Sequence, residues 1–223
     1  AQALMLGDAD FALAGGAESM SRSPYSLPVA RFGQKMGDAK AVDMMTGALT
    51  CPFGTGHMGV TAENVAADHG ITRADQDAFA LESQVRAARA IAEGRFAGQI
   101  VPVEVAGRKG PIVFDTDEHP KATSAEALAG LRPVFQKGGS VTAGNASGIN
   151  DGAAAIVLAR ADAAAGLRPR ARILGYAHAG VAPRVMGIGP IPACRALFEK
   201  TGLGAGDFDV IESNEAFAAQ AIA

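Results

Sequence analysis

Two short segments of the sequence place reactive or ligand-binding groups among glycines. His57 and Met58 stand between two glycines, where a loop presents an imidazole beside a soft thioether. Residues 144–148 are similar to the nucleophile turn of serine hydrolases, but Asn145 stands where that pattern needs glycine two residues before Ser147. This segment is therefore either a tight turn or a backbone-lined surface against an extended ligand.

A third candidate, Asn214, follows the apolar run of a predicted strand and precedes Glu215. Open α/β sheets bind ligands at the carboxyl ends of their strands. An amide fixed there can hold a catalytic water or complete an oxyanion site. Because asparagine is also a good helix N-cap, the position alone leaves both a catalytic and a capping role open.

The remaining ionisable residues argue against several classes of site. The four histidines are scattered without i,i+4 pairs, and the two cysteines, Cys51 and Cys194, form no C-x-x-C pair, so no metal site or disulfide scaffold is predicted. A net charge of −3 and 48% hydrophobic residues argue against disorder and against a nucleic-acid partner. No apolar run approaches the roughly 20 residues of a membrane helix. We therefore expect a cytoplasmic protein with no membrane partner.

The elements that must position these residues alternate between strand and helix, which predicts a layered α/β protein with a mixed or parallel sheet. The wholly apolar run 153–159 is expected to lie centrally in that sheet. Strands are predicted at residues 9–14, 100–105, 111–114, 153–159, 171–177 and 207–212. Helices are predicted at residues 61–94, with a break at 69–70 and a new N-cap at Thr72, and at residues 124–130 and 190–201.

Both ends of the chain are helix-forming and lack capping residues, so we expect an internal fragment of a longer protein.

Four long segments together resemble the thiolases, the acetyl-CoA acetyltransferases. They are residues 14–21 (AGGAESMS), 56–64 (GHMGVTAEN), 142–152 (TAGNASGINDG) and 214–220 (NEAFAAQ). The resemblance implies a thiolase-like layered mixed α/β sheet with an inserted loop domain. On this basis residues 1–21 belong to the N-terminal half, 22–142 to the loop domain, 143–167 to the N-terminal half again, and 168–223 to the start of the C-terminal half.

The resemblance implies an acyl-CoA acyltransferase that condenses acetyl-CoA or thiolyses short 3-ketoacyl-CoA through an acylated cysteine. Coenzyme A thioesters would be its substrates, no cofactor is implied, and the intact protein would be a homodimer or homotetramer. The family's nucleophilic cysteine, catalytic histidine and second cysteine have no match here, so the chain alone is expected to be inactive. The alternative is a non-catalytic thiolase-fold protein that binds acyl-CoA or lipid.

The resemblance also assigns site residues. Asn214 matches the asparagine that positions a water where the enolate oxygen is stabilised. His57 and Met58 match the pantetheine and acyl pocket, and Lys121 falls near a basic position that reaches toward the nucleotide. The other matches along the coenzyme A channel are Leu49, Phe135, Ala143, Ala146, Ser147, Ile149, Ala216 and Phe217.

Overall fold

The computed structural model describes all 223 residues, which form two compact units. The first unit contains residues 1–50, 149–180 and 189–210. The second contains residues 51–148, 181–188 and 211–223. Both units combine helices with strands, and none of the helices has the length and apolar character needed to cross a bilayer.

The first unit contains two nine-residue strands, β1 (Phe11–Ser19) and β8 (Asp151–Ala159), which form an antiparallel pair. The pairing is complete, so the first residue of each strand lies opposite the last residue of the other. At one end of the pair the Asp151 carboxylate accepts hydrogen bonds from the backbone N–H and the hydroxyl of Ser21. These bonds lower the pKa of Asp151 and tie the chain beyond β1 to the start of β8.

The other elements of the first unit are short, except for helix α6 (Pro190–Thr201), which confirms the helix predicted at residues 190–201. Pro190 occupies the first position of α6, where its missing N–H costs nothing, and Gly202 ends the helix in the left-handed conformation. The short elements include β2 and β3, which pair antiparallel. The elements are α1 (Gln2–Leu6), β2 (Tyr25–Ser26), β3 (Val42–Asp43), α2 (Met44–Ala48), α6 (Pro190–Thr201) and 3-10 turns at Met20–Arg22, Ala30–Phe32 and Ala205–Asp207.

Three strand predictions are corrected by the structure. Residues 171–177 and 207–212 form no regular strand, and residues 153–159 border only β1 instead of lying centrally in a mixed or parallel sheet. The side chains of Val157 and Val210 remain 74% and 82% exposed. Apolar composition favours extended backbone, but a strand also needs a hydrogen-bonding neighbour. No strand of this chain lies beside residues 171–177 or 207–212, and β1 is the only neighbour of residues 153–159.

The second unit is mainly helical. Helix α3 (Met58–His69) packs against α7 (Ala218–Ile222) and against the 3-10 helix Pro183–Ile188. Helix α4 (Arg73–Ala92) packs against α5 (Ala125–Ala129) and α7. Its apolar core contains Ala62, Val65, Ala66, Ala80, Leu128, Val141, Ala218 and Ala219. The elements are β5 (Gly56–His57), α3 (Met58–His69), α4 (Arg73–Ala92), β6 (Val103–Gly107), β7 (Gly110–Phe114), α5 (Ala125–Ala129) and α7 (Ala218–Ile222), while β4 (Thr50–Cys51) spans the boundary between the units.

The predicted helix break is confirmed, and the strands predicted at residues 100–105 and 111–114 form a hairpin with observed bounds of 103–107 and 110–114. Gly70 ends α3 with a φ of +66°, and Thr72 begins α4 with a complete capping box to Asp75. The hydrogen bonds from Thr72 lower the pKa of the Asp75 carboxyl. Strands β6 and β7 pair antiparallel across the turn at residues 107–110. The end of α3 and the start of α4 therefore lie where the local sequence specifies, whereas α3 begins at Met58, three residues before the predicted start.

Candidate functional site

His57 lies at the N-terminus of α3 and caps it with its own ring. The backbone of His57 is extended, and its Nδ1 accepts the Gly59 N–H at 3.0 Å. Because Nδ1 is an acceptor, the neutral ring carries its proton on Nε2. Burial lowers the pKa of His57, and an imidazolium would also face the positive end of the helix dipole. The structure therefore selects a neutral His57.

This geometry predicts a stability that falls on mild acidification. The lowered pKa means that the unfolded chain binds the proton more readily, so the contribution of His57 is complete above about pH 6.5 and is lost as the pH falls through that value toward the folded pKa. Urea unfolding of wild type between about pH 7.5 and 5 measures the slope. His57→Asn, which keeps a capping acceptor but does not titrate, should have a shallower slope. Equal slopes would contradict the prediction.

An aromatic row joins three of the predicted site residues. The rings of His57 and Phe135 stack with centroids 4.7 Å apart, and Phe135 meets the ring of Phe217 edge-on at 6.1 Å. Residue 59 must be glycine for this packing, since a Cβ on Gly59 would lie 2.2 Å from the Phe135 ring. Met58, the first residue of α3, directly follows His57 in the sequence and is half-buried. The second unit thus brings together residues that lie up to 160 positions apart in the sequence.

A short backbone bridge fixes the segment that follows Asn214. The Ser147 N–H donates to the Ala216 carbonyl at 3.0 Å, and the Ala218 N–H donates to the Asn145 carbonyl at 2.9 Å. Residues 146 and 217 form the corresponding antiparallel bridge. The predicted residues Ala146, Ser147, Ala216 and Phe217 therefore form one continuous surface.

Asn214 is exposed and lines a cavity of about 550 Å³ in the second unit. Its amide forms no hydrogen bond within the chain. The neighbouring Glu215 differs, because its carboxylate accepts the hydroxyl of Ser83 at 2.6 Å. The cavity is also lined by Gln84 and His119. Asn214 is therefore a polar group of this cavity whose amide remains available to a ligand.

The other predicted site residues fall into two groups. Lys121 and Ala143 are exposed in the second unit, where the Lys121 N–H donates to Gln84 Oε1 at 2.9 Å. Leu49 and Ile149 belong to the first unit. Leu49 is half-buried at the end of α2, and Ile149 is exposed. The aromatic row and the bridge therefore contain neither residue.

Neither cysteine is paired. Cys51 is buried, and hydrogen bonds from the backbone and side chain of Thr55 lower the pKa of its thiol. Cys194 is exposed on α6 of the first unit. No group of three or more His, Cys, Asp or Glu side chains is close enough together to hold a metal ion.

A buried polar network, to which no sequence motif pointed, supports the Gly144–Gly148 turn. Asn145 is 3% exposed, and its Nδ2 donates to Asp77 Oδ1 at 3.0 Å and to the Ser140 carbonyl at 3.1 Å, while its Oδ1 accepts the Thr142 N–H at 2.8 Å. Arg73 forms an ion pair with Asp77 at 2.7 Å. One sequence signal could have indicated this network. The helices are rich in alanine, their apolar residues form no complete stripe, and they carry charged residues.

A second buried acid, Glu63 on α3, was missed in the same way. It receives hydrogen bonds from the loop that leads into the Gly144–Gly148 turn.

Comparison with known proteins identifies the architecture. The thiolase N-terminal domain model matches residues 1–162, and the thiolase C-terminal domain model matches residues 167–223. The chain is 59% identical to a beta-ketothiolase from Cupriavidus necator, covering 100% of this chain and 58% of that protein. It aligns with the crystal structure of the Bacillus anthracis acetyl-CoA acetyltransferase at a TM-score of 0.95 and 47% identity, covering 99% of this chain and 57% of that one.

Human mitochondrial 3-ketoacyl-CoA thiolase aligns equally well, with a TM-score of 0.95 and 44% identity over 99% of this chain and 57% of that one. These alignments confirm the predicted thiolase-like α/β fold. The chain spans a little over half the length of the relatives that it matches. Since the two domain models cover nearly all of its residues in order, the chain belongs to the thiolase family.

Proposed function

We propose that the chain is part of an acyl-CoA acyltransferase that condenses acetyl-CoA or thiolyses short 3-ketoacyl-CoA. The observation that carries this proposal is the aromatic row of His57, Phe135 and Phe217, in the same compact unit as the unpartnered amide of Asn214. The relatives named as acetyl-CoA acetyltransferases and beta-ketothiolase support the reaction class.

In this proposal the acyl-CoA pantetheine lies along the aromatic row. Met58 contacts the acyl end, and the small side chains of Ala143, Ala146, Ser147 and Ala216 leave room for a narrow, extended ligand. Leu49 and Ile149 are further apolar binding residues in this proposal. The exposed ammonium of Lys121 attracts the nucleotide phosphates. Coenzyme A thioesters are the substrates, and no cofactor or metal ion takes part.

Asn214 has the catalytic role. Its amide donates a hydrogen bond, directly or through a water, to the thioester oxygen that becomes negative when the enolate forms. Acyl transfer also requires a thiolate nucleophile. Cys51 is buried and Cys194 lies on α6 of the other unit, so we propose that the nucleophilic cysteine, the catalytic histidine and the second cysteine lie outside these 223 residues. The chain alone is then inactive, and the intact protein is a cytoplasmic homodimer or homotetramer.

Thiolysis of acetoacetyl-CoA by the complete protein, compared with the 223-residue chain at equal concentration, tests this proposal. We expect turnover by the complete protein only, with longer 3-ketoacyl-CoA substrates turned over more slowly. Isothermal titration with coenzyme A provides the second readout. If the complete protein binds coenzyme A but turns over no substrate, the alternative of a non-catalytic acyl-CoA or lipid-binding protein replaces the enzyme.

A further inference from the structure

Glu63 is a buried carboxylate with no cationic partner. It lies on the second turn of α3 and is 6% exposed. Its oxygens accept the N–H of Ser140 at 2.9 Å, the hydroxyl of Ser140 at 2.9 Å and the N–H of Val141 at 2.8 Å. All three donors come from one loop. The loop therefore replaces the water that would otherwise solvate this anion.

The approach of the loop to this carboxylate depends on a glycine. A Cβ on Gly139 would lie 2.2 Å from Glu63 Oε1, so the loop reaches the carboxylate only because residue 139 has no side chain. From the opposite side the amide of Gln76, a fully buried residue of α4, donates to the Ser140 hydroxyl at 2.9 Å. Two helices therefore hold Ser140.

The loop that Glu63 holds is also connected to the aromatic row. The Val134 N–H donates to the Val141 carbonyl at 3.0 Å, which closes the loop on itself. Val141 is fully buried and is held by Glu63 through its own N–H. Because Val134 directly precedes Phe135, Glu63 is connected through Val141 and Val134 to the backbone that carries the Phe135 ring stacked on His57.

The same attachment extends to the bridge before α7. The Ser140 carbonyl accepts Asn145 Nδ2 at 3.1 Å, and Asn145 is the second residue of the Gly144–Gly148 turn. Ser147 of this turn donates its N–H to the Ala216 carbonyl. One carboxylate thus supports both the Phe135 wall and the backbone that leads to Asn214.

We propose that Glu63 is a positioning residue for acyl-CoA binding, which acts by holding the loop of residues 134–147 against α3 so that Phe135 and the Ala146–Ser147 backbone form the pocket wall. This inference rests on the proposed function. Glu63 does not touch the ligand, and its effect is on ground-state binding, so it changes KM more than kcat.

Glu63→Gln in the complete protein is the sharpest test, because it keeps the shape of the side chain and replaces one acceptor oxygen by an NH₂ donor that faces the Ser140 N–H in either orientation of the amide. We expect KM for acetoacetyl-CoA to rise about 10-fold with kcat within about 3-fold of wild type. Amide hydrogen exchange at Ser140 and Val141 should accelerate about 10-fold. Glu82→Gln is the matched control, since Glu82 is an exposed acid on α4 that pairs only with Arg86.

Ser140→Ala is the second variant if Glu63→Gln fails to fold. It removes one of the three donors and leaves the two backbone N–H groups in place, so KM should rise about 2- to 3-fold. If amide exchange is faster but KM is unchanged, Glu63 is a purely structural residue and the proposal is overturned. Unchanged amide exchange would also overturn it. If wild type neither turns over acetoacetyl-CoA nor binds coenzyme A, the proposed function itself is overturned, and the positioning role with it, whatever the exchange data show.

Discussion

Replacing Asn214 by alanine in the complete protein should lower kcat for thiolysis by about 10²- to 10³-fold, the range observed when one oxyanion donor is removed. KM for acyl-CoA should stay within about 3-fold, because the hydrogen bond strengthens only when charge develops on the thioester oxygen. Asn214 is exposed and its amide has no partner within the chain, so its loss leaves folding stability unaffected. Steady-state kinetics and thermal unfolding measured on the same preparation separate the two effects.

Two further variants sharpen this test. Asn214→Asp keeps the size of the side chain but replaces the donor by a negative acceptor, so it should lose at least as much activity as alanine. Gln99→Ala removes another exposed amide of the second unit and should retain wild-type kcat. An Asn214→Ala variant with kcat within about 3-fold of wild type would show that this amide has no part in the chemistry.

Asn145→Ala should lower the free energy of unfolding by about 3 kcal/mol or more. The substitution removes one amide that makes three buried hydrogen bonds. It leaves the Thr142 N–H, the Ser140 carbonyl and one Asp77 oxygen unpaired. Each unpaired buried group costs about 1–3 kcal/mol, and water reaches this site poorly because Asn145 is 3% exposed. Urea unfolding at neutral pH gives the difference directly.

Asn64→Ala provides the comparison. The amide of Asn64 makes a single hydrogen bond, to the Arg184 carbonyl at 3.0 Å, and its removal should cost about 1 kcal/mol. If the two alanine variants unfold at the same urea concentration, the three bonds of Asn145 do not act together as the structure indicates.

The features that could be predicted from the sequence are those determined by nearby residues. Thr72 and Asp75 are three positions apart, so the start of α4 is encoded in a few consecutive residues. The hairpin turn at residues 107–110 is equally local. The strand predicted at residues 171–177 does not form, because strand formation depends on a neighbouring strand that the segment itself does not specify.

The residues of the candidate site show the same difference between local and long-range determinants. His57 and Asn214 were predicted as site residues because they lie in motifs whose residue types point to chemistry. Glu63 and Asp77 were not, because an acid on a helix is expected to face solvent, and only the tertiary structure shows that a loop satisfies it. Residues that support a pocket from behind can therefore be identified only from a structure, whereas residues that contact a ligand can be recognised from sequence motifs.

The pairing of β1 with β8 also affects the order of folding. These strands are separated by about 130 residues of chain, and closing so long a loop costs entropy that no local contact recovers. Helices α3 and α4, joined by three residues, have no such cost. We therefore expect the strand pair to form late. Until it does, the unpaired edges of two nine-residue strands are open to pairing with other chains, so aggregation during refolding should increase with protein concentration.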